Sequence, residues 1–165
     1  VVRLQQLLKI VLPLHEYLSM SASRETELEA AGWEKIDVGG FTGEVGPFWR
    51  REIDGEVEVG FIVESRHCNN HMGTLHGGMV MTFADIALGS AAAKRLGAPR
   101  FNGVTASLNM QFVAIANVGE FVSCKPEVVH QGKQMFFMRG LITTDKKTIA
   151  SCEGIWKLLS RKIEQ

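Results

Sequence analysis

At 165 residues and 45% hydrophobic content, the chain has the size of one domain and can bury a sizeable core. Its 18 basic residues balance 18 acidic ones with no run of one sign, so neither nucleic acid nor an anionic membrane is advertised as a partner, and a small-molecule substrate is expected. The three cysteines, Cys68, Cys124 and Cys152, are odd in number and widely spaced, which suits reduced thiols in a cytoplasmic protein rather than a disulfide framework.

The opening run VVRLQQLLKIVLPLHEYL resembles an export signal in its apolarity, but Gln5, Gln6 and Lys9 interrupt it. A helix broken near Pro13 and packed on the body is expected instead. From Ser21 to Gly32 a short helix follows: serines offer caps, Glu25, Glu27 and Glu29 suit its early turns, and Gly32 its end. Residues 1–32 are thus expected to form a helical extension, and residues 33–160 the main domain. From Trp33 to Ser65 the pattern becomes strand-like, in the runs KIDVGGFTGEV and GEVEVGFIVES, with Asp54-Gly55 as the hairpin turn.

A helix of nearly twenty residues is predicted from His76–Gly78 to Leu96, ending at Gly97 with Lys94 and Arg95 in its last turn. Between Met79 and Ala93 only Asp85 is charged, and small residues dominate the second half. Such a helix is expected to be buried nearly all round. Four extended segments follow, GVTASLNMQFVAIA, GEFVSCKPEVVH, KQMFFMRGLITTD and KTIASCEGIWKLL. Strict alternation in the first puts Val104, Ala106, Leu108, Met110 and Phe112 on one face and Thr105, Ser107, Asn109 and Gln111 on the other. One buried helix and about six strands imply an α+β architecture, an antiparallel sheet, in its simplest form a meander, wrapped around the helix. No stretch is long and apolar enough to span a membrane.

Within this frame Asp85 is the sharpest anomaly, because a carboxylate in mid-helix among Phe83, Ala84, Ile86 and Ala87 loses hydration its neighbours do not replace. A salt bridge from a facing strand or a functional role each accounts for it. His76-Gly77-Gly78 opens the same helix, where unpaired amides at the positive end of the dipole form a potential oxyanion site or a plain tight turn. Asn70, just before, suits a turn. Asp85 lies eight residues after Gly77, a separation of about 12 Å along one helix. One reacting carbonyl cannot touch both, so a shared site requires a second chain, its helix antiparallel to the first about a two-fold axis. The series His67, Cys68, His71, His76 has spacings a metal could use, yet its loop holds Asn69, Asn70 and Gly73 and no carboxylate, so no metal is expected. No G-x-S-x-G elbow, dinucleotide fingerprint or P-loop occurs.

The pattern Asn70-x5-His76-Gly77-Gly78-x6-Asp85 closely resembles the motif of hotdog-fold thioesterases of the phenylacetate-degradation (PaaI-like) type and of thioesterase-superfamily proteins of animals. Val104–Asn109 resembles the family's strand after the helix, and His130–Gln134 its later turn. The resemblance covers about Gly55 to Leu158. It implies a hotdog fold that hydrolyses an acyl-CoA thioester to a free acid and CoA, without metal or cofactor beyond the CoA of the substrate, in homodimers or dimers of dimers. By position, it implies that the Gly77 amide polarises the carbonyl and that Asp85 of the other chain acts as general base or nucleophile. Asn70 would position water or carbonyl, His76 would support that arrangement, and Thr105 would orient the water. Gly78 and Lys133 would serve substrate binding, Lys133 as a contact to a CoA phosphate. Phe83, Met79 and Met81 suit either an acyl channel or the core. A non-catalytic acyl-CoA sensor is the alternative on the same fold; a hotdog hydratase fits the motif less well.

Overall fold

The computed structural model describes residues 23–36, 38–69, 71–98 and 101–159. The opening run and Asn70 therefore lie outside the described residues. The chain forms two units, Val1–Glu34 and Lys35–Gln165.

In the first unit, residues 23–30 form helix α1. Gly32, at φ 79°, closes it: the Gly32 amide donates to the Glu29 carbonyl and the Trp33 amide to the Leu28 carbonyl, both at 3.0 Å. These two bonds satisfy carbonyls that the last turn leaves open. The helix expected between Ser21 and Gly32 is there.

Among the described residues the second unit contains two α-helices, α2 (Gly40–Val45) and α3 (Gly77–Arg95), and seven of the strands, β2 (Phe48–Ile53), β3 (Glu56–Ile62), β4 (Gly103–Phe112), β5 (Phe121–Cys124), β6 (Glu127–Gln131), β7 (Met135–Thr144) and β8 (Thr148–Leu158), while β1 (Glu34–Ile36) straddles its start. The eight strands form one sheet, ordered β1-β2-β3-β5-β7-β8-β4 with β6 beside β7. The hairpin at Asp54-Gly55 matches its sequence signature: both residues have positive φ, and Ile53 pairs with Glu56 across the turn. By contrast, the run KIDVGGFTGEV holds only the short strand β1 before it turns into α2. The hairpin's first strand is instead Phe48–Ile53, beyond that run.

Two further differences follow from long-range packing. The segment read as GEFVSCKPEVVH is split into β5 and β6 around Lys125-Pro126, because proline has no amide to continue the ladder. The order is also not a simple meander. After α3 the chain enters β4 at the far edge of the sheet, then crosses back to lay β5 against β3. The splitting of β5 from β6 and the addition of β1 raise the strand count from about six to eight among the described residues.

Helix α3 lies on the inner face of this sheet. Met79, Val80, Phe83, Ala84, Ala87, Leu88, Ala91 and Ala92 form its buried stripe, and that spacing of three and four is a single helical face. Phe83 is fully buried, with its ring 4.9 Å from Phe61 and 6.2 Å from Phe48, measured between centroids. It is core, not channel. The opposite face, including Gly78, Met81, Thr82, Asp85, Gly89 and Ser90, is exposed or half-buried, so α3 is not enclosed all round by its own chain. Its C-terminus closes as α1 does, with Gly97 at φ 61° and the Ala98 amide donating to the Ala93 carbonyl at 3.1 Å. All three cysteines are free. Among the described residues, no helix is long and apolar enough to cross a membrane.

Phe83→Ala should lower unfolding stability by about 3–5 kcal/mol, since transfer and cavity terms add at a site enclosed by aromatic rings. Urea denaturation checks this, and a loss below about 1 kcal/mol would contradict such packing.

Candidate active site

The start of α3 is assembled from a short, heavily hydrogen-bonded loop. Asn69 organises it: its side-chain amide donates to Thr74 Oγ1 at 3.1 Å, its Oδ1 accepts from the Met72 amide at 2.7 Å, and its backbone amide donates to the Thr74 carbonyl at 3.0 Å. Gly73, at φ 65°, supplies the left-handed residue of the turn. The His76 amide then donates to the His67 carbonyl and the Leu75 amide to the Ala116 carbonyl, both at 2.9 Å. Asn69 was not singled out from the sequence. Its only signal was an Asn a few residues before Gly73, a common loop composition.

His76 is the N-cap of α3. Its Nδ1 accepts from the Gly78 amide at 2.9 Å, and its carbonyl accepts from Met79 and Val80 at 2.9 and 3.1 Å. Nδ1 is therefore the unprotonated ring nitrogen. A Cβ at position 78 would lie 3.0 Å from His76 Nδ1, so glycine lets the imidazole lie over its amide. The Gly77 amide has no hydrogen-bond acceptor among the described residues, as expected for an early helical amide. A Cβ on Gly77 would come 3.6 Å from the ring of Phe112, a half-exposed side chain at the end of β4.

Asp85 sits two turns further along, half-buried, and Thr105 Oγ1 donates to its Oδ1. The sequence pattern placed Thr105 on the face opposite Leu108 and Met110. The structure corrects this with a bulge between Thr105 and Ser107. Thr105 pairs with buried Trp156, Ser107 with Ile155, and Leu108 with Gly154, so one extra residue, Ala106, reverses the parity of the strand. Thr105, Leu108 and Met110 thus share the face toward α3. The half-open position of Asp85 also revises the expectation of a wholly enclosed carboxylate.

A cavity of about 470 Å³ opens beside the cap, lined by Phe41, Val45, His67, His76, Met79 and Thr82. Met79 thus borders open space, whereas Met81 lies on the outward face of α3. His67 is buried at 4% exposure, and its Nδ1 accepts from the Glu64 amide at 3.0 Å. Burial is the main reason its pKa falls below the usual histidine value. With His67 and His76 each committed to a backbone amide, the His67-Cys68-His71-His76 series brings no three metal-ligand side chains together among the described residues. Lys133 is remote from Asp85, in the turn between β6 and β7.

An antiparallel sheet folded around one long helix is the hotdog architecture; in this chain the helix starts at a histidine-capped Gly-Gly and carries a carboxylate on its open face. The thioesterase superfamily matches residues 72–151. A Pseudomonas aeruginosa protein named as an esterase, PA0474, is 32% identical over 115 residues, which cover 69% of this chain and 84% of that protein. Human acyl-coenzyme A thioesterase 13 is 34% identical over 84 residues, half of this chain and 57% of its own length. Zebrafish thioesterase superfamily member 2 superposes with a TM-score of 0.64 at 30% identity, covering 74% of this chain and 89% of that one. Two more distant structures share the fold. The phenylacetic acid degradation protein PaaI of Thermus thermophilus has a TM-score of 0.57 at 22% identity over 81% and 99% of the two chains. A hypothetical thioesterase protein of Streptococcus pneumoniae, solved with coenzyme A, has a TM-score of 0.63 at 21% identity over 78% and 98%. The chain belongs to the thioesterase superfamily.

Because the folded His67 resists a proton that the unfolded chain accepts, stability should fall as pH drops below about 6.5, the ordinary histidine value. Above that pH both states hold it neutral and the contribution is flat. His67→Phe should reduce the slope of stability between about pH 6.5 and 5 in urea titrations; an unchanged slope would assign the acid sensitivity to other groups.

Proposed function

We propose that this protein is an acyl-CoA thioesterase whose two equivalent sites are each completed across a homodimer interface. The carrying observation is the placement of Asp85 on the open face of α3, held by Thr105, while the Gly77 amide lies about 12 Å away on the same helix. A second chain, its α3 antiparallel to the first, would bring Gly77 of each chain to Asp85 of the other. The small residues on the outer face of α3 permit a close approach, and β4, an edge strand of the sheet, leaves a ladder available for pairing.

In this reading the Gly77 amide and the helix dipole stabilise negative charge on the thioester oxygen. Thr105 fixes one carboxylate oxygen of Asp85 and leaves the other for water. Asp85 takes a proton as the water oxygen bonds to the carbonyl carbon; the carbon–sulfur bond then breaks, and the CoA thiolate leaves and regains the proton. Acting as nucleophile instead, Asp85 would bond to the carbonyl carbon and expel the CoA thiolate as the carbon–sulfur bond breaks, giving a mixed anhydride that water opens to the free acid and the restored carboxylate. Asn70 positions water or carbonyl, His76 holds the helix start, Gly78 admits substrate, and Lys133 meets a CoA phosphate. The cavity beside Met79 and Phe41 would receive the acyl group. No metal or cofactor takes part beyond the substrate's own CoA. The free cysteines suit the cytoplasm. Pairing of dimers into tetramers follows from the resemblance to PaaI-like enzymes.

Asp85→Asn should lower kcat for acyl-CoA by roughly 10²–10⁴, with the dimer intact by light scattering and free-thiol release as the assay. Turnover at the wild-type rate would end the assignment, and CoA binding without any turnover by the wild type would leave the sensor reading. Co-refolded Asp85→Asn and Asn70→Ala chains should regain activity that neither homodimer has, because the mixed dimer holds one intact site; heterodimers that form but stay inactive would refute the cross-chain arrangement. A single turnover in heavy-oxygen water separates the two roles of Asp85, since only the nucleophile acquires the label on its carboxylate.

A further inference from the structure

The turn between β6 and β7 lies beside the C-terminus of α3, and between them is a cavity of about 640 Å³ lined by Arg95, His130, Gln131 and Lys133 together with the neighbouring valines and glycine of the strand and turn. Among the described residues no carboxylate lines it. Arg24, Arg50, Arg51, Arg66 and Arg139 each have a carboxylate within 4.0 Å, as does Lys94, at 2.5 Å from Glu52. Arg95 alone among the described arginines has none. Its Nε instead donates to Gln131 Oε1 at 3.3 Å, which leaves the two terminal nitrogens of the guanidinium for another acceptor. Among the described residues a paired arginine is the rule; Arg95 lies beside Lys133 and His130 with no carboxylate of its own among them.

Its distance from Asp85 is informative. Ten residues of α3 separate the two, about 15 Å along the axis. A second path agrees: Thr105, Trp156, Phe136 and Gln131 form one cross-strand row from β4 to β6, three inter-strand steps, or about 14 Å. The pantetheine arm of CoA has about thirteen bonds between sulfur and diphosphate, and at the roughly 3.4 Å per three bonds of an extended backbone it spans about 15 Å.

We propose that Arg95, oriented by Gln131 and joined by Lys133 and His130, forms the subsite that binds the nucleotide phosphates of CoA while the thioester lies at Asp85. This rests on the acyl-CoA reading above and adds Arg95 and His130 to Lys133. The site gathers several cationic donors, so it favours the polyanionic 3′-phosphate and diphosphate of CoA over the single phosphodiester of an acyl-carrier protein.

Calorimetric titration of the full-length protein with CoA, dephospho-CoA and pantetheine tests it. Wild type should bind CoA most tightly, with affinity falling as salt rises. Arg95→Ala and Lys133→Ala should each weaken CoA roughly ten-fold and leave pantetheine unchanged. Both residues are exposed, so the variants should fold, which circular dichroism checks. A double variant that binds CoA as wild type does, or a wild type that binds CoA no better than pantetheine, overturns the proposal. Thiol release from acyl-CoA, measured in parallel, is a separate readout: absent turnover with intact, cation-dependent CoA binding overturns the thioesterase reading and leaves the phosphate subsite standing.

Discussion

A helix can bury only what its own sheet offers it. In this protein the stripe from Met79 to Ala92 claims the sheet, and Phe83 against Phe48 and Phe61 fixes how the helix is rolled. That roll turns Asp85 toward β4 and leaves Gly78, Met81 and Gly89 outward. The rise of a rigid helix then keeps the Gly77 amide and the Asp85 carboxylate apart. In the proposed dimer that rigidity would make each chain present two half-sites, one at each of two places on the same rod.

Small backbone devices place the polar groups on that rod. The extra residue at Ala106 costs β4 one ladder pairing and turns Thr105 to the helix side, where its hydroxyl holds Asp85. Gly78 accepts the imidazole of His76 at 3.0 Å from where a Cβ would stand, a contact that a side chain would relieve only by pushing the ring away, and so lets a histidine serve as cap. Gly140 plays the same part in the core. The Cys124 sulfur would lie 2.6 Å from a Cβ there, and the hydrogen bond with Cys152, together with burial, holds the Cys124 thiol up in its protonated form. These positions are glycines because something else occupies the space a side chain would take.

The relatives and the geometry support different parts of the reading. Relatives named as esterase and thioesterase point to thioester hydrolysis, while the open face of α3 and the edge position of β4 argue for a second chain. The unpaired guanidinium of Arg95 arises from neither name nor motif. It becomes visible only when every other described arginine is found with its carboxylate.

Features that depend on neighbours in sequence were legible from the residues alone. The hairpin at Asp54-Gly55 and the ends of α1 at Gly32 and of α3 at Gly97 each follow from positive φ within a few residues, whereas the composition of α3 suggested burial all round and only the folded sheet limited it to one stripe. The motif from His76 to Asp85 was equally local, and helix rise is what argues for a site shared between two chains. Features that depend on what a segment meets were not legible. Strict alternation misplaced Thr105, because a bulge is set by the partner strand β8. Strand-like composition concealed α2, whose Phe41 and Val45 are also one helical turn apart. The crossing from β4 back to β5, and the cluster of Arg95 with Lys133 across 38 residues of chain, required the folded sheet. Local conformation is set by sterics within a few residues, whereas register, topology and charge neighbours are set by long-range packing, which leaves no periodic mark in the sequence.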